Sequence, residues 1–174
     1  MTPRQKYTAY RTIVTKEILR FARIWVQTVL PPAITMALYF IIFGKLIGAQ
    51  IGDMEGFSYV DFIVPGLILM SVISNSYANV VSSFYSSKFQ HNIEELLIAP
   101  LPNFIILAGY VAGGVARGLV VGIVVTLISL FFTDLDIHSY TVTVAVFILT
   151  SVLFATAGFI NAVYANSFDD ISVV

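Results

Sequence analysis

The chain has 174 residues, 58% of them apolar and only 11% charged, with a mean hydropathy of +0.90. Soluble domains run about 45–50% apolar and about 25% charged, so this composition excludes an ordinary soluble domain and points to an integral membrane protein. The absence of cysteine excludes disulfides, thiolate metal sites and cysteine nucleophiles. The net charge of −1 conceals an asymmetry: Arg4, Lys6, Arg11, Lys16, Arg20 and Arg23 place six of the nine cations in the first 23 positions.

Residues 5–23 read as an amphipathic interface helix. At 100° per residue, Tyr7, Tyr10, Val14, Ile18, Phe21 and Trp25 form one narrow stripe, with Lys16, Arg20 and Arg23 opposite. An apolar stripe with a cationic back suits a helix lying in the headgroup layer against anionic lipid. The basic segment is too long for a signal peptide, as is the apolar run behind it, so that run is expected to stay as a membrane span.

Four segments are long and apolar enough to cross the hydrocarbon, which takes about 20 helical residues. The first is 24–46, where Pro31-Pro32 is expected to kink the helix or mark its proper start. The second is 59–84, interrupted by Pro65-Gly66; the third is 104–132; the fourth is 140–164. The distribution of lysine and arginine puts the N-terminus in the cytoplasm. The loops carrying Asp53, Glu55, Asp134 and Asp136 are then external. Residues 166–174 read as a cytoplasmic turn leading to a further segment, so the chain reads as the first part of a longer protein. The fold class is therefore an all-α polytopic membrane protein: an interface helix followed by four transmembrane helices.

Between the second and third spans, residues 85–102 (YSSKFQHNIEELLIAPLP) contain a short amphipathic helix. Ile93, Leu96 and Leu97 fall on one side, Glu94 and Glu95 at its shoulders, and Pro100 and Pro102 end it. A short helix strung between spans lies outside the hydrocarbon, where it can touch a soluble partner.

Several residues are candidates for function. Arg117 sits mid-span in GYVAGGVARGLVVG, where a charge costs about 2.5–3.5 kcal/mol on insertion scales. It either faces the bundle interior or snorkels to the interface. The same span carries the small-xxx-small pairs Gly109/Gly113 and Gly114/Gly118/Gly122, which suit close helix packing within the chain or between subunits. Gly113-Gly114 lacks the Gly-Lys-Ser/Thr of a phosphate loop, so ATP is not bound by that route. Ser71, Asn75, Asn79, Ser82 and Ser86 form a polar line on the second span, fit for interhelical hydrogen bonds or a substrate path. The catalytic options are thin: His91 with Glu94 and Glu95 lacks the second histidine of a zincin helix. The external Asp134/Asp136/His138 loop leaves open a different class, a membrane-embedded lipid-modifying enzyme; a passive scaffold or channel is a third.

The run from Gln90 to Pro102, with Glu94, Leu96-Leu97 and Pro100 in place, resembles the cytoplasmic helix of ABC-2 type transporter permeases. His91-Asn92 stand where that family usually carries a Gly-Thr pair. RIWVQTVLPPAITMALYFIIFG, FIVPGLILMSVISNSYANV, GYVAGGVARGLVVGI and the final SFDDISVV are also similar to a bacterial inner-membrane permease of that family. The resemblance implies six transmembrane helices, of which this chain carries four, and a homodimer in the bacterial inner membrane. It implies a non-catalytic subunit of a probable exporter, with ATP and magnesium bound by a separate ATPase and no cofactor in this chain. Gln90, His91, Asn92, Glu94, Glu95, Leu96 and Leu97 would then form the coupling contact, with the N-terminal helix flanking the ATPase at the membrane surface.

Overall fold

A computed structural model describes residues 2–48, 58–133 and 139–171, and the regular structure among them is helical. Helix α1 (Pro3–Arg23) opens on a capping box, in which Thr2 accepts from the Gln5 amide and the Gln5 side chain accepts from the Thr2 amide. Helix α2 (Trp25–Tyr39) continues as a π-helical stretch over Phe40–Ile47. The remaining helices are α3 (Tyr59–Phe89), the short α4 (Asn92–Ile98), α5 (Asn103–Ser129) and α6 (Tyr140–Tyr164). Among the described residues four helices meet the length and hydropathy of membrane spans: Trp25–Gly44, α3, α5 and α6.

The chain breaks at Ile24, between α1 and α2 (φ −113°, ψ 35°), rather than at Pro31-Pro32. Both prolines lie inside α2, so neither marks its start. Helix α3 runs five residues past position 84 and leaves only α4 as the separate short helix. Helix α5 ends at Ser129, followed by a turn over residues 130–132.

Helix α3 is the centre of the bundle and packs on both α5 and α6. Two stripes of small residues on α5 take different partners. A side chain on Gly109 or Gly113 would meet Ile13 or Glu17 of α1, in each case at 2.5 Å. On the other stripe, Gly114, Gly118 and Gly122 are filled by Val80, Ser76 and Val72 of α3. All five glycines therefore serve packing within the chain, where backbones approach too closely for a Cβ. Ile13 on Gly109 and Glu17 on Gly113 advance four residues together, so α1 runs in the same direction as α5 along this contact. Gly158 of α6 similarly admits the Tyr77 carbonyl of α3.

Two apolar clusters fill the interior. Near α4, Ile13, Val80, Phe84, Tyr85, Ile93, Ile106, Tyr110 and Ala155 pack together, joined by the rings of Phe84, Tyr110 and Phe159. Towards the other end, Met36, Phe40, Val64, Ile68, Val121 and Val125 join α2, α3 and α5. At that end the Thr133 hydroxyl donates to Asp61 of the first turn of α3. At the α4 end the Lys88 ammonium donates to the Val163 and Ala165 carbonyls, at 2.8 and 2.7 Å. Those are carbonyls at the C-terminus of α6, where a cation suits both their free lone pairs and the helix dipole.

Candidate functional site

Two features stand out: the short helix α4 and a polar seam that begins behind it. Helix α4 follows α3 through a single tight corner. Gln90 donates its amide to the Ser86 carbonyl, and His91 turns left-handed at φ 60°. This is the αL position that ends many helices and that glycine occupies at least cost. The His91 Nδ1 and Glu94 Oε1 lie 2.8 Å apart, an exposed pair across the first turn. The other end is set by proline: Ala99 is extended immediately before Pro100.

Helix α4 presents two faces. Ile93 is buried and Leu96 half-buried against the α4-end cluster, whereas Leu97 and Ile98 are 61% and 84% exposed. Leu97 thus does not share a side with Ile93 and Leu96; it belongs to an outward face with Glu94 and Ile98. The helix has only seven residues, and the contact that holds it comes through Ile93 and Leu96. Gln90 and Asn92 are exposed and share a hydrogen bond of 3.3 Å.

The seam joins three helices. Glu17 of α1 is fully buried (0% exposed), and its Oε2 lies 3.3 Å from Arg20 Nε. Arg20 reaches across to α3, where its Nη2 donates to Asn79 Oδ1 at 2.7 Å and to the Asn79 carbonyl at 3.0 Å. One turn along α3, Asn75 accepts from Arg117 Nη2 of α5 at 3.4 Å and donates to the Ser71 carbonyl. Arg117 therefore faces the bundle interior rather than snorkelling. Around this line Glu17 Oε1, Ser71 Oγ, Ser76 Oγ, Asn79 Nδ2 and Arg117 Nε are buried without a hydrogen-bond partner.

Gly113, against which Glu17 packs, and Asn79 lie each about 15 Å along their helices from the α4 end, at about 1.5 Å per residue. Helix α5 is about 40 Å long by the same rise, against about 30 Å of hydrocarbon, so this level falls inside the apolar layer. Charges at that depth need partners, and the Glu17–Arg20 pair with its amide acceptor supplies one for each.

Of the cationic set on α1, Lys16 and Arg23 are exposed, but Arg20 is turned inward. The buried line of α1 is Ile13, Glu17 and Phe21, rotated by about 60° from the apolar stripe at 100° per residue. Tyr7, Ile18 and Trp25 of that stripe remain exposed. On α3, Ser71, Asn75 and Asn79 are buried as a line, while Ser82 and Ser86 are only half-buried and Ser76, Ser83 and Ser87 take the inward places. Sequence reasoning missed Glu17 because a carboxylate reads as a surface residue. Its signal was the spacing of Ile13, Glu17 and Phe21 at the edge of the stripe. Lys88 was also missed as a helix cap. Asp134, Asp136 and His138 lie outside the described residues; among the described residues there is no group of three potential metal ligands.

The family model described as ABC-2 type transporter matches residues 8–174. The chain is 64% identical over 168 residues to the inner membrane transport permease YadH of Escherichia coli (strain K12), covering 97% of this chain and 66% of that protein. The permeases of the same name from Escherichia coli O157:H7 and Shigella flexneri match to the same extent. The chain thus spans 66% of the length of these relatives. No solved structure matches it. Four span-length helices among the described residues, a short two-faced helix strung between the second and third, and a match that runs from the first third of α1 to Val174 agree: this chain belongs to the ABC-2 type transporter family.

Proposed function

We propose that the chain forms the membrane-spanning part of a transporter driven by a separate ATPase, which docks on the outward face of α4. The observation that carries this reading is the division of α4: Ile93 and Leu96 anchor it in the bundle while Leu97 and Ile98 project outward. Apolar side chains at that level, outside the spans and rimmed by Glu94, suit the buried core of a protein interface. A push on α4 passes through Ile93 into a cluster that holds Ile13 of α1, Phe84 of α3 and Ile106 of α5. The left-handed corner at His91 ties the same motion to the end of α3.

In this reading ATP and magnesium are held by the ATPase, and α4 and the N-terminus lie in the cytoplasm. Two permease chains pair in the inner membrane, and transport runs outward. Asn75 and Arg117 tie α3 to α5, Asn79 ties α3 to Arg20 of α1, and Ser71 holds the Asn75 amide, so these residues serve helix packing. Site-specific photocrosslinking tests the docking. A crosslinker at Ile98 or Leu97 is expected to capture the ATPase, and one at Val120, mid-span on α5, is not. Capture from Val120, or from neither α4 position, would overturn the assignment.

A further inference from the structure

Helix α1, the end of α3, α4 and the start of α5 enclose a cavity of about 550 Å³, within the usual range of about 300–1,000 Å³ for small-ligand sites. One wall carries the cation Lys16 of α1 and another the anion Glu95 of α4. Neither has an ion-pair partner among the described residues, whose pairs are Glu17–Arg20 and His91–Glu94. The interior carries Tyr110 and Ser87, both buried. The Tyr110 hydroxyl donates to Ser87 Oγ at 3.2 Å, and Ser87 Oγ donates to the Ser83 carbonyl. The Tyr110 proton is therefore committed and its oxygen is left as an acceptor, suited to an N–H donor and not to a phosphate. Ile13 and Leu96 give the same cavity an apolar side.

We propose that this cavity binds the headgroup of a zwitterionic aminophospholipid, its phosphate on Lys16 and its ammonium between Glu95 and the Tyr110 oxygen. Charges of both signs in one lining match a ligand that carries both, and a purely anionic headgroup would meet Glu95 unfavourably. A primary ammonium donates hydrogen bonds to Glu95 and Tyr110, whereas a quaternary one has no N–H to give. A lipid is the source that the location favours. Ser87 is in the last turn of α3, and Tyr110 is about 10 Å from the start of α5 at about 1.5 Å per residue. The cavity therefore reaches from exposed Asn92 and Glu95 at the α4 end down the first turns of the spans, so a headgroup can enter from the interface while acyl chains run down the apolar surface of the bundle.

The test needs no ATPase, so its outcome is independent of the coupling assignment. Full-length protein in mild detergent is equilibrated with equal amounts of phosphatidylethanolamine, phosphatidylcholine and phosphatidylglycerol of identical acyl chains, and retained lipid is counted by native mass spectrometry. Phosphatidylethanolamine should be retained over both others by about ten-fold, the scale of one charge-assisted contact. Glu95→Gln should remove that preference, and Lys16→Ala should lower retention of all three lipids, since each carries the phosphate; both substitutions are at exposed positions. Glu95→Lys should reverse the preference in favour of phosphatidylglycerol, which simple loss of structure would not do. Equal retention of the three lipids by wild type, or an unchanged preference in Glu95→Lys, would overturn the site. Displacement of the lipid by an equal concentration of soluble glycerophosphoethanolamine would overturn the lipid assignment.

Discussion

Replacing Arg20 by methionine removes the partner of a carboxylate that has no exposed surface. It also takes the donor from Asn79 Oδ1, which lies 2.7 Å from Arg20 Nη2. Removing one member of a buried pair costs about 3–5 kcal/mol, because the remaining charge stays buried without compensation. The Arg20 side chain is itself one-third exposed, so water can reach part of the gap and the lower end, about 3 kcal/mol, is the appropriate figure. The double variant Glu17→Leu/Arg20→Met removes both charges and fills the same space with apolar atoms. It should return to within about 1 kcal/mol of wild type, since buried pairs exchanged for apolar residues are often neutral or better. Reversible unfolding in mixed micelles, run on the wild type, the two single variants and the double, measures the coupling. A double variant no more stable than the sum of the two single losses would refute the pairing. So would a stability for Arg20→Met equal to that of wild type.

Four further outcomes follow from local geometry. An added Cβ at Gly114 would fall 2.9 Å from the Ser76 carbonyl oxygen and against Val80, so Gly114→Ala should lower stability by about 1–3 kcal/mol. Gly66 has nothing within 4 Å of that position, and Gly66→Ala should instead raise stability by about 0.5–1 kcal/mol in the same unfolding assay. His91→Gly relieves a left-handed residue, worth about 1–2 kcal/mol, and gives back about 0.4–1 through the freer unfolded chain, for a net gain readable as a rise in Tm. The Asn166 amide, followed by the Ser167 side chain and amide, holds the Asp170 carboxyl below its ordinary value. A lowered folded pKa gives a contribution that is present above about pH 4 and lost as pH falls through the folded value. Amide protection at Asn166 and Ser167 should therefore fall on acidification and be unchanged between pH 6 and 8.

The spans were legible because long apolar runs at this composition have few alternatives, and Pro100 with Pro102 marked the end of α4 by chemistry alone. The two stripes of glycine on α5 were visible as spacing, but spacing could not say that one receives α1 and the other α3. That choice depends on which side chains fill the grooves, and one of them, Glu17, is charged. Arg20 was misplaced for a related reason. Helical projection separates apolar from charged residues, whereas the inward line of α1 runs along the boundary between them, where a pair of opposite charges can be buried together. Lys88 caps α6 from the last turn of α3. Its task as a cap on α6 requires two helix ends more than seventy residues apart to meet, and no local pattern carries that. On α4, Leu96 and Leu97 are adjacent and equally apolar, and only the packing decides which one is left outside.

The most direct test is ATP hydrolysis by the proposed partner ATPase reconstituted with full-length wild-type permease or with Leu97→Asp. Leu97 is largely exposed, so the variant should insert and fold, while a carboxylate at the centre of an apolar contact should disrupt docking. Wild-type permease should bind and modulate the ATPase, and Leu97→Asp, correctly inserted, should not. Unaltered binding and modulation by Leu97→Asp would contradict the placement of the coupling surface on the outward face of α4.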